Sequence, residues 1–393
     1  MKNIAVVGIG MGRNTMTLEA LEAVRQADVL VGAERMLAEF SDLGKTAVRA
    51  YLADDVIRAV EDSPAGSFAV LFSGDVGFYS GATRLCREWK DASIRLYPGL
   101  SSVVYFFSRC GRPWQNAKLI SCHGLDTDIV SAVRRNRETF ALTGGNVPAL
   151  ADALCRAGYS GLTVTVGSDL SGETESIRTT TVEKLKEVEW PSLTVLLIDN
   201  PDPDARVRTG IPDEEFERSS VPMTKSEVRA VCLSKLGIRP GEICYDVGCG
   251  TGSVTVEMAL AAYEGHVYAF DKKEEAAVLT EQNCARFHIG NVTASVGMAP
   301  EVFSSCPDPD AVFIGGSSGN LREIMATLYR RNPRVRFVVT AVSLETVHEA
   351  MRGFEEIGRT IRISEIGVTR TRRVAGLHML DAQNPIYVMY DGE

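Results

Sequence analysis

Residues 245–252 read Tyr-Asp-Val-Gly-Cys-Gly-Thr-Gly. The run lies between an apolar stretch of strand character and an apolar stretch of helix character, and a lone acid, Asp271, follows 19 positions after Gly252. Glycines let a backbone turn sharply and approach a ligand closely, and an acid at the end of the next strand can accept hydrogen bonds from ribose hydroxyls. The pattern points to a nucleoside-bearing cofactor. Asp246 separates the candidates: a carboxylate beside the glycine turn repels a pyrophosphate, whereas the ammonium and sulfonium of S-adenosylmethionine are cationic and tolerate it. The expected site is that of a methyltransferase, with Asp246, Gly248, Cys249, Gly250, Thr251, Gly252 and Asp271 around the cofactor. The plainer alternative is a glycine-rich turn that merely closes an ordinary βα unit.

The chain has 393 residues, of which 45% are apolar, enough for two or three domain cores. A net charge of −9 argues against a nucleic acid or an anionic membrane as partner. Nine cysteines, at 86, 110, 122, 155, 232, 244, 249, 284 and 306, are scattered, odd in number and free of any CxxC pair, which fits a reduced cytoplasm. The start MKNIAVVGIGMG breaks at glycines and reads as a first strand rather than a signal peptide. No stretch approaches the roughly 18 apolar residues of a membrane span. The five histidines lack metal-ligand spacing, so no metal is expected.

Between Asn200 and Thr224 the sequence is rich in proline and charge and has little apolar periodicity, so it reads as a linker. With the boundary drawn at 204–221, it divides a domain at 1–203 from one at 222–393. The second domain alternates helical and extended patterns: KSEVRAVCLSKL, SVTVEMALAA and KEEAAVLTEQNCARF are helical, while EICYDV, HVYAF, VTASV, AVFIG and VRFVVTAV are extended. That alternation describes a parallel, doubly wound, Rossmann-like sheet. TIRISEIGVTR and PIYVMY, with no helix pattern between them, are expected to form a hairpin at its edge, which resembles the class I methyltransferase fold. The first domain also alternates and is a second α/β fold. Its Gly8-Ile9-Gly10-Met11-Gly12 run resembles a dinucleotide loop only superficially, because Arg13-Asn14-Thr15 are polar where a close-packed apolar helix start is wanted.

Three further segments of the first domain, LFSGDVGFYSGATRL (71–85), YPGLSSVVYFFSRCG (97–111) and ISCHGLD (120–126), run from strand ends into small-residue turns where backbone NH groups become available. With the N-terminal stretch they resemble the tetrapyrrole (corrin and porphyrin) methylase family over most of residues 1–200. The resemblance implies a bilobal α/β fold that also uses S-adenosylmethionine, with Gly74, Asp75, Ser101 and Ser102 at the cofactor and Gly8, Gly10 and Gly12 facing a macrocycle. The family's turn usually reads Ser-Gly-Asp-Pro; Val76 stands in place of the proline, which loosens the turn without removing glycine or acid. The second domain, through VPMTKSEVRAVCLSKLGIRPGEICYDVGCGTGSVTVEMA, FIGGSSGNLREI and HMLDAQNPIYVM, resembles domains that methylate and decarboxylate a precorrin. The fused order resembles the decarboxylating precorrin-6Y methyltransferase family of cobalamin biosynthesis.

That resemblance implies methyl transfer to ring carbons 5 and 15 and loss of carbon dioxide from the acetate at carbon 12. It implies Thr224 at the mouth of the cofactor site, Gly248, Gly250 and Gly252 along the methionine part, Asp271 on the ribose, and Met298 and Ala299 near the adenine. The family commonly carries an acid where Met298 stands, so either backbone groups around Met298 and Ala299 replace its hydrogen bond or affinity falls. Both families form oligomers, so a homo-oligomer is expected by analogy. The chemistry asks for positioning more than for a nucleophile. His378 and His123 are candidate proton carriers, with hydrogen-bonded structural histidines as the alternative. A polycarboxylate substrate calls for arginines: Arg370, Arg372 and Arg373, in the turn TRTRRVAG, are candidates, with a solvated loop as the alternative. YRRNPRVRF (329–337) is assigned to helix capping. The rival reading is an RNA or small-molecule class I methyltransferase with a non-catalytic N-terminal module that binds S-adenosylmethionine; it leaves the first domain's turns unexplained.

Overall fold

The strand Asn3–Gly8 sends Ile4 and Val6 to one face and Val7 to the other, so its period of two feeds two separate apolar clusters. It lies inside a five-stranded sheet ordered Thr46–Arg49, Val29–Gly32, Ser67–Phe72, Asn3–Gly8, Ser93–Tyr97, with every pairing parallel. Helices cover both faces, as an all-parallel sheet requires. Val56 and Val60 of helix Ala53–Glu61 pack on one, Ala20 and Val24 of helix Leu18–Gln26 on the other. A second five-stranded sheet is mixed, ordered Lys118–Ser121, Glu138–Leu142, Thr194–Asp199, Thr163–Ser168, Ser176–Thr181. Phe106 and Phe107 of helix Ser102–Arg109 seal it against Phe140, Val195 and Leu197. These two sheets are the two lobes expected.

This computed structural model describes residues 2–89, 92–123 and 127–392; the Gly124-Leu125-Asp126 part of the ISCHGLD turn lies outside the described residues. The chain forms two units that do not follow chain order: residues 1–127, 138–148 and 163–199 make the first, and 128–137, 149–162 and 200–393 the second.

The second unit is built on a seven-stranded sheet ordered Val292–Val296, His266–Asp271, Ile243–Val247, Ala311–Ile314, Arg336–Ala341, Ile386–Asp391, Ile361–Ile366. Only Ile386–Asp391 runs against its neighbours. Successive strands progress in one direction from Ile243–Val247 and in the other from Ala311–Ile314, so strand order reverses between these two, where ligands bind in open α/β sheets. Cys244 faces one core and Tyr245 and Val247 the other, so this strand is buried on both faces.

Three features depart from the sequence reading. Ile361–Ile366 and Ile386–Asp391 do pair antiparallel, but they are not joined by a tight turn, because an exposed two-stranded ribbon, Thr369–Val374 with Leu377–Ala382, stands between them. Arg370, Arg372 and Arg373 therefore sit in a strand rather than a turn. The segment 204–221, read as a linker, is packed into the second unit, with Ile211, Asp213, Phe216 and Val221 buried. Residues 128–137 and 149–162 also belong to this unit. Ser131 Oγ donates to the Tyr263 carbonyl at 2.9 Å, the Arg135 guanidinium lies 3.6 Å from the centre of the Tyr263 ring, and the His288 ring stacks on Tyr159 at 4.6 Å. Among the described residues no helix is long and apolar enough to cross a membrane.

Candidate active site

At the switch point of the seven-stranded sheet the ends of Ile243–Val247, His266–Asp271 and Ala311–Ile314 open into a cleft of about 270 Å³. Thr224, Gly248, Cys249, Gly250, Asp271, Met298 and Ala299 line it, as do residues not anticipated from sequence: Val221 and Pro222, Lys272 and Lys273, and Gly315 to Ser318. The last group was legible in part, since FIGGSSGN repeats the strand-then-small-residue signature of the glycine turn. Gly248 holds φ +79° and Gly250 φ +57°, in the region that favours glycine. A Cβ on Gly248 would fall 2.6 Å from the Gly316 nitrogen, so the two turns can meet only because both are bare backbone.

Asp271 is fixed from two sides. The Gly250 amide donates to Oδ2 at 3.2 Å and the Lys273 amide to Oδ1 at 3.0 Å, which orients the carboxylate beside the glycine turn and leaves it further acceptor capacity. Asp246 and Gly252 sit differently from the reading. Gly252 does not line the cleft; a Cβ there would meet Thr280 Cα at 2.8 Å, so it permits close packing of helix Ser253–Ala261 on helix Glu274–Arg286. Asp246 is completely buried behind the turn, where Oδ2 accepts from Thr255 Oγ1 at 2.5 Å and Oδ1 has no partner. Burial pushes its carboxyl up to about 7, opposed by the Thr255 hydrogen bond and reinforced by Asp271. Thr251 Oγ1 is likewise buried and unpartnered. Burial raises the Cys249 thiol far above its ordinary value, so it is no nucleophile. Met298 is 44% exposed at the rim, and the Ala299 carbonyl already accepts from Asn320 Nδ2 at 3.1 Å.

In the first unit the structure brings the three described glycine turns together. Gly10 and Gly74 exchange backbone hydrogen bonds, and the Gly99 amide donates to Asp75 Oδ2 at 3.1 Å. Asp75 Oδ1 also accepts from Gly77 at 2.8 Å, so hydrogen bonds hold the turn that lacks a proline, while Val76 is buried in the core. Ser101 caps helix Ser102–Arg109 and is 6% exposed. After Gly12 the chain makes a short 3-10 turn, Arg13–Thr15, and the helix starts only at Leu18, so the run is no dinucleotide loop.

The remaining candidates are dispersed. His123 packs on Gly144, with its amide 3.4 Å from Ser121 Oγ, and His378 lies exposed on the ribbon opposite Arg373. Arg370 is committed to Glu227, Asp213 and Ser226; its pairing with Glu227 pulls that carboxyl down to about 2. Arg372 and Arg373 are exposed. In the 329–337 run, assigned to helix capping, Arg331 instead reaches the carbonyls of Phe303 and Cys306, in and just after the separate 3-10 turn Glu301–Ser305.

A doubly wound sheet with a cleft at its switch point, in one chain with a two-lobed α/β unit bearing convergent glycine turns, defines the class as a two-domain methyltransferase. The family "Precorrin methyltransferase domain" matches residues 214–390, and "Tetrapyrrole (Corrin/Porphyrin) Methylases" matches residues 3–186. A precorrin-6Y C(5,15)-methyltransferase [decarboxylating] from Sinorhizobium sp is 30% identical over 390 residues, 95% of this chain and 92% of its own. A probable cobalt-precorrin-6B C(15)-methyltransferase (decarboxylating) from Pyrobaculum calidifontis is 43% identical over 183 residues, 46% of this chain and 94% of its own. The crystal structure of a precorrin 8W decarboxylase from Methanobacterium thermoautotrophicum is 38% identical, with a TM-score of 0.44 over 47% of this chain and 100% of that one. The chain belongs to the family of decarboxylating precorrin-6Y C5,15-methyltransferases.

Proposed function

We propose that this protein methylates a precorrin at ring carbons 5 and 15 and releases the carboxyl of the carbon-12 acetate as carbon dioxide, drawing both methyl groups from S-adenosylmethionine. The first unit serves carbon 5; the second, into which 204–221 packs, serves carbon 15 and the decarboxylation. The observation that carries the reading is the cleft at the switch point, where a glycine turn and a backbone-oriented Asp271 converge in a chain related along 95% of its length to a C(5,15)-methyltransferase. The RNA and small-molecule alternative explains neither the first unit nor that relationship.

The donor set suits S-adenosylmethionine. Asp271, already held by two amides, keeps lone pairs for ribose hydroxyls, and Asp246, buried behind the glycine turn, adds a negative field towards a cationic ligand when ionised. Met298 and Ala299 form the rim at the adenine, with backbone groups in place of an acidic side chain. When bound, the cofactor supplies an activated methyl sulfonium, so what the chain must contribute is alignment and exclusion of water. Gly248 and Gly250 let the backbone close on the methionine part, and Val221, Pro222 and Thr224 cover it. Arg372 and Arg373, free of the ion pairs that occupy Arg370, present guanidinium forks to macrocycle carboxylates. His378, beside them on the ribbon, and His123 are the side chains available to carry a proton. In the first unit Gly74, Asp75, Ser101 and Ser102 receive the cofactor, and the turn that carries Gly8, Gly10 and Gly12 faces the macrocycle. A homo-oligomer in the cytoplasm completes the reading, supported by the exposed apolar side chains of Leu377 and Leu380 on the ribbon.

The test is to incubate the protein with a precorrin-6 pool and methyl-labelled donor and count product. Two methyls incorporated and one carbon dioxide released per ring is the expected result; a single methyl, or none, refutes the assignment of both domains.

A further inference from the structure

Residues 208–224 carry few apolar side chains, yet Val221, Pro222 and Thr224 are a wall of the cleft. Buried polar groups hold them there. Glu257, fully buried on helix Ser253–Ala261, accepts from the backbone amides of Gly210 at 2.8 Å and Ile211 at 2.9 Å. Arg229, fully buried on helix Ser226–Leu236, donates from Nε to Glu257 Oε1 at 2.9 Å and from Nη1 to Asp213 Oδ1 at 2.9 Å. The same guanidinium donates to the carbonyls of Thr224 and Ile211, and it lies 4.9 Å from the centre of the Phe216 ring. From the other side, Asn283 Nδ2 donates to the carbonyls of Glu217 at 3.1 Å and Thr251 at 2.8 Å, which ties the segment to the glycine turn itself. Val221 packs on Ala276 and Leu279, and the Pro222 carbonyl stands where a Cβ on Gly250 would come within 2.6 Å.

A loop of this composition is ordinarily mobile, and a mobile wall must be ordered at each binding event, which weakens affinity. A fully buried cation is also a poor way to gain stability alone, because desolvation offsets most of its attraction. What a guanidinium supplies here is a rigid planar fork that reaches the Asp213 carboxylate and two carbonyls of one segment while it is anchored on Glu257 of a neighbouring helix.

We propose that Arg229 is a positioning residue of the cofactor cleft: it pre-organises residues 211–224 as the wall that closes on the methyl donor, and Arg370 supports that wall from outside through Asp213. Arg370 Nη1 donates to the second oxygen of Asp213 at 3.0 Å, while Nε donates to Glu227 and Nη2 to Ser226 Oγ, at the start of the helix that carries Arg229. Arg370 thus acts on the donor site rather than on the macrocycle. This inference rests on the donor reading above.

The test titrates the full-length chain with S-adenosylhomocysteine and follows hydrogen–deuterium exchange of the amides at 248–252, which resolves this cleft from a donor site in the first unit. Arg229→Met is expected to weaken the titration about tenfold or more, Arg229→Lys several-fold because an ammonium cannot span the fork, and Arg370→Gln about threefold. Donor KM rises while kcat at saturation persists, a split that loss of fold would not produce. Wild-type affinity in Arg229→Met, with exchange in strands 311–314 and 336–341 unchanged, overturns the proposal. Should that variant lose sheet protection, Arg229→Lys and Arg370→Gln decide: wild-type affinity in both overturns it, and weakening in both upholds it. No protection of 248–252 in the wild type removes the donor reading itself, whereas a protected wild type with unaffected variants removes only the role of Arg229.

Discussion

Asp246→Asn is the perturbation whose consequence can be worked out most completely. The carboxyl is fully buried, Oδ1 has no partner, and its pKa stands near 7 against an ordinary 3.8. Between those two values the unfolded chain has lost the proton and the folded chain keeps it, so folding stability falls as pH rises from about 4 to about 7 and stays low above that. At about 1.36 kcal/mol per unit, a difference of about 3 units is a cost on the order of 4 kcal/mol at pH 8. Asparagine retains the shape and the Thr255 contact and does not ionise. The variant should therefore gain on the wild type by about 3 kcal/mol between pH 5 and pH 8, or roughly 6–12 °C in the transition of the second unit. Calorimetric scans of both proteins without ligand, at pH 5, 6, 7 and 8, measure this. Saturating S-adenosylmethionine should narrow the gap at pH 8, because a cation in the cleft in front of the glycine turn favours the charged form of Asp246 in the wild type alone. A stability difference independent of pH would refute the argument.

Three further outcomes follow from the site. Asp271→Asn removes the charge held between the Gly250 and Lys273 amides, so affinity of the switch-point cleft for S-adenosylhomocysteine should fall about tenfold, and product analysis should show loss of the carbon-15 methyl with the carbon-5 methyl retained. Asp75→Asn, which weakens acceptance from the Gly77 and Gly99 amides, should give the converse product, methylated at carbon 15 only; equal loss of both methyls would contradict separate donor sites. The double change Arg372→Gln and Arg373→Gln should raise KM for the macrocycle about tenfold and leave protection by the donor at 248–252 untouched, and an unchanged KM would remove the ribbon from substrate binding.

Nothing local showed that Asp246 and Gly252 lie behind the turn, whereas that Gly248, Gly250 and Asp271 meet at the end of the strands was legible because turn geometry and the spacing of one βα unit place them whatever the rest of the chain does. The same holds for the strands of both units, whose apolar runs and period-two alternation record burial on both faces. Met298 and Ala299 reached the cleft as expected, since they too lie just beyond a strand end. Gly315 to Ser318 were missed as site residues because nothing local says that Ala311–Ile314 lies beside Ile243–Val247 rather than elsewhere in the sheet. Arg370 displayed its charge in sequence but not its partners, Asp213 and Glu227, which lie 157 and 143 positions away.

Sequence by itself determined the two α/β patterns, the glycine turn and the acid that follows it, since each is encoded in neighbouring residues. Tertiary structure alone decided that residues 204–221 pack into the second unit rather than link two domains, and that 128–137 and 149–162 belong with that unit. The physical reason is that the 204–221 segment is held by backbone hydrogen bonds to Glu257, Arg229 and Asn283. Such bonds have no hydrophobic period to announce them, and two of the three partners, Glu257 and Asn283, lie 47 and 66 positions from the residues they hold.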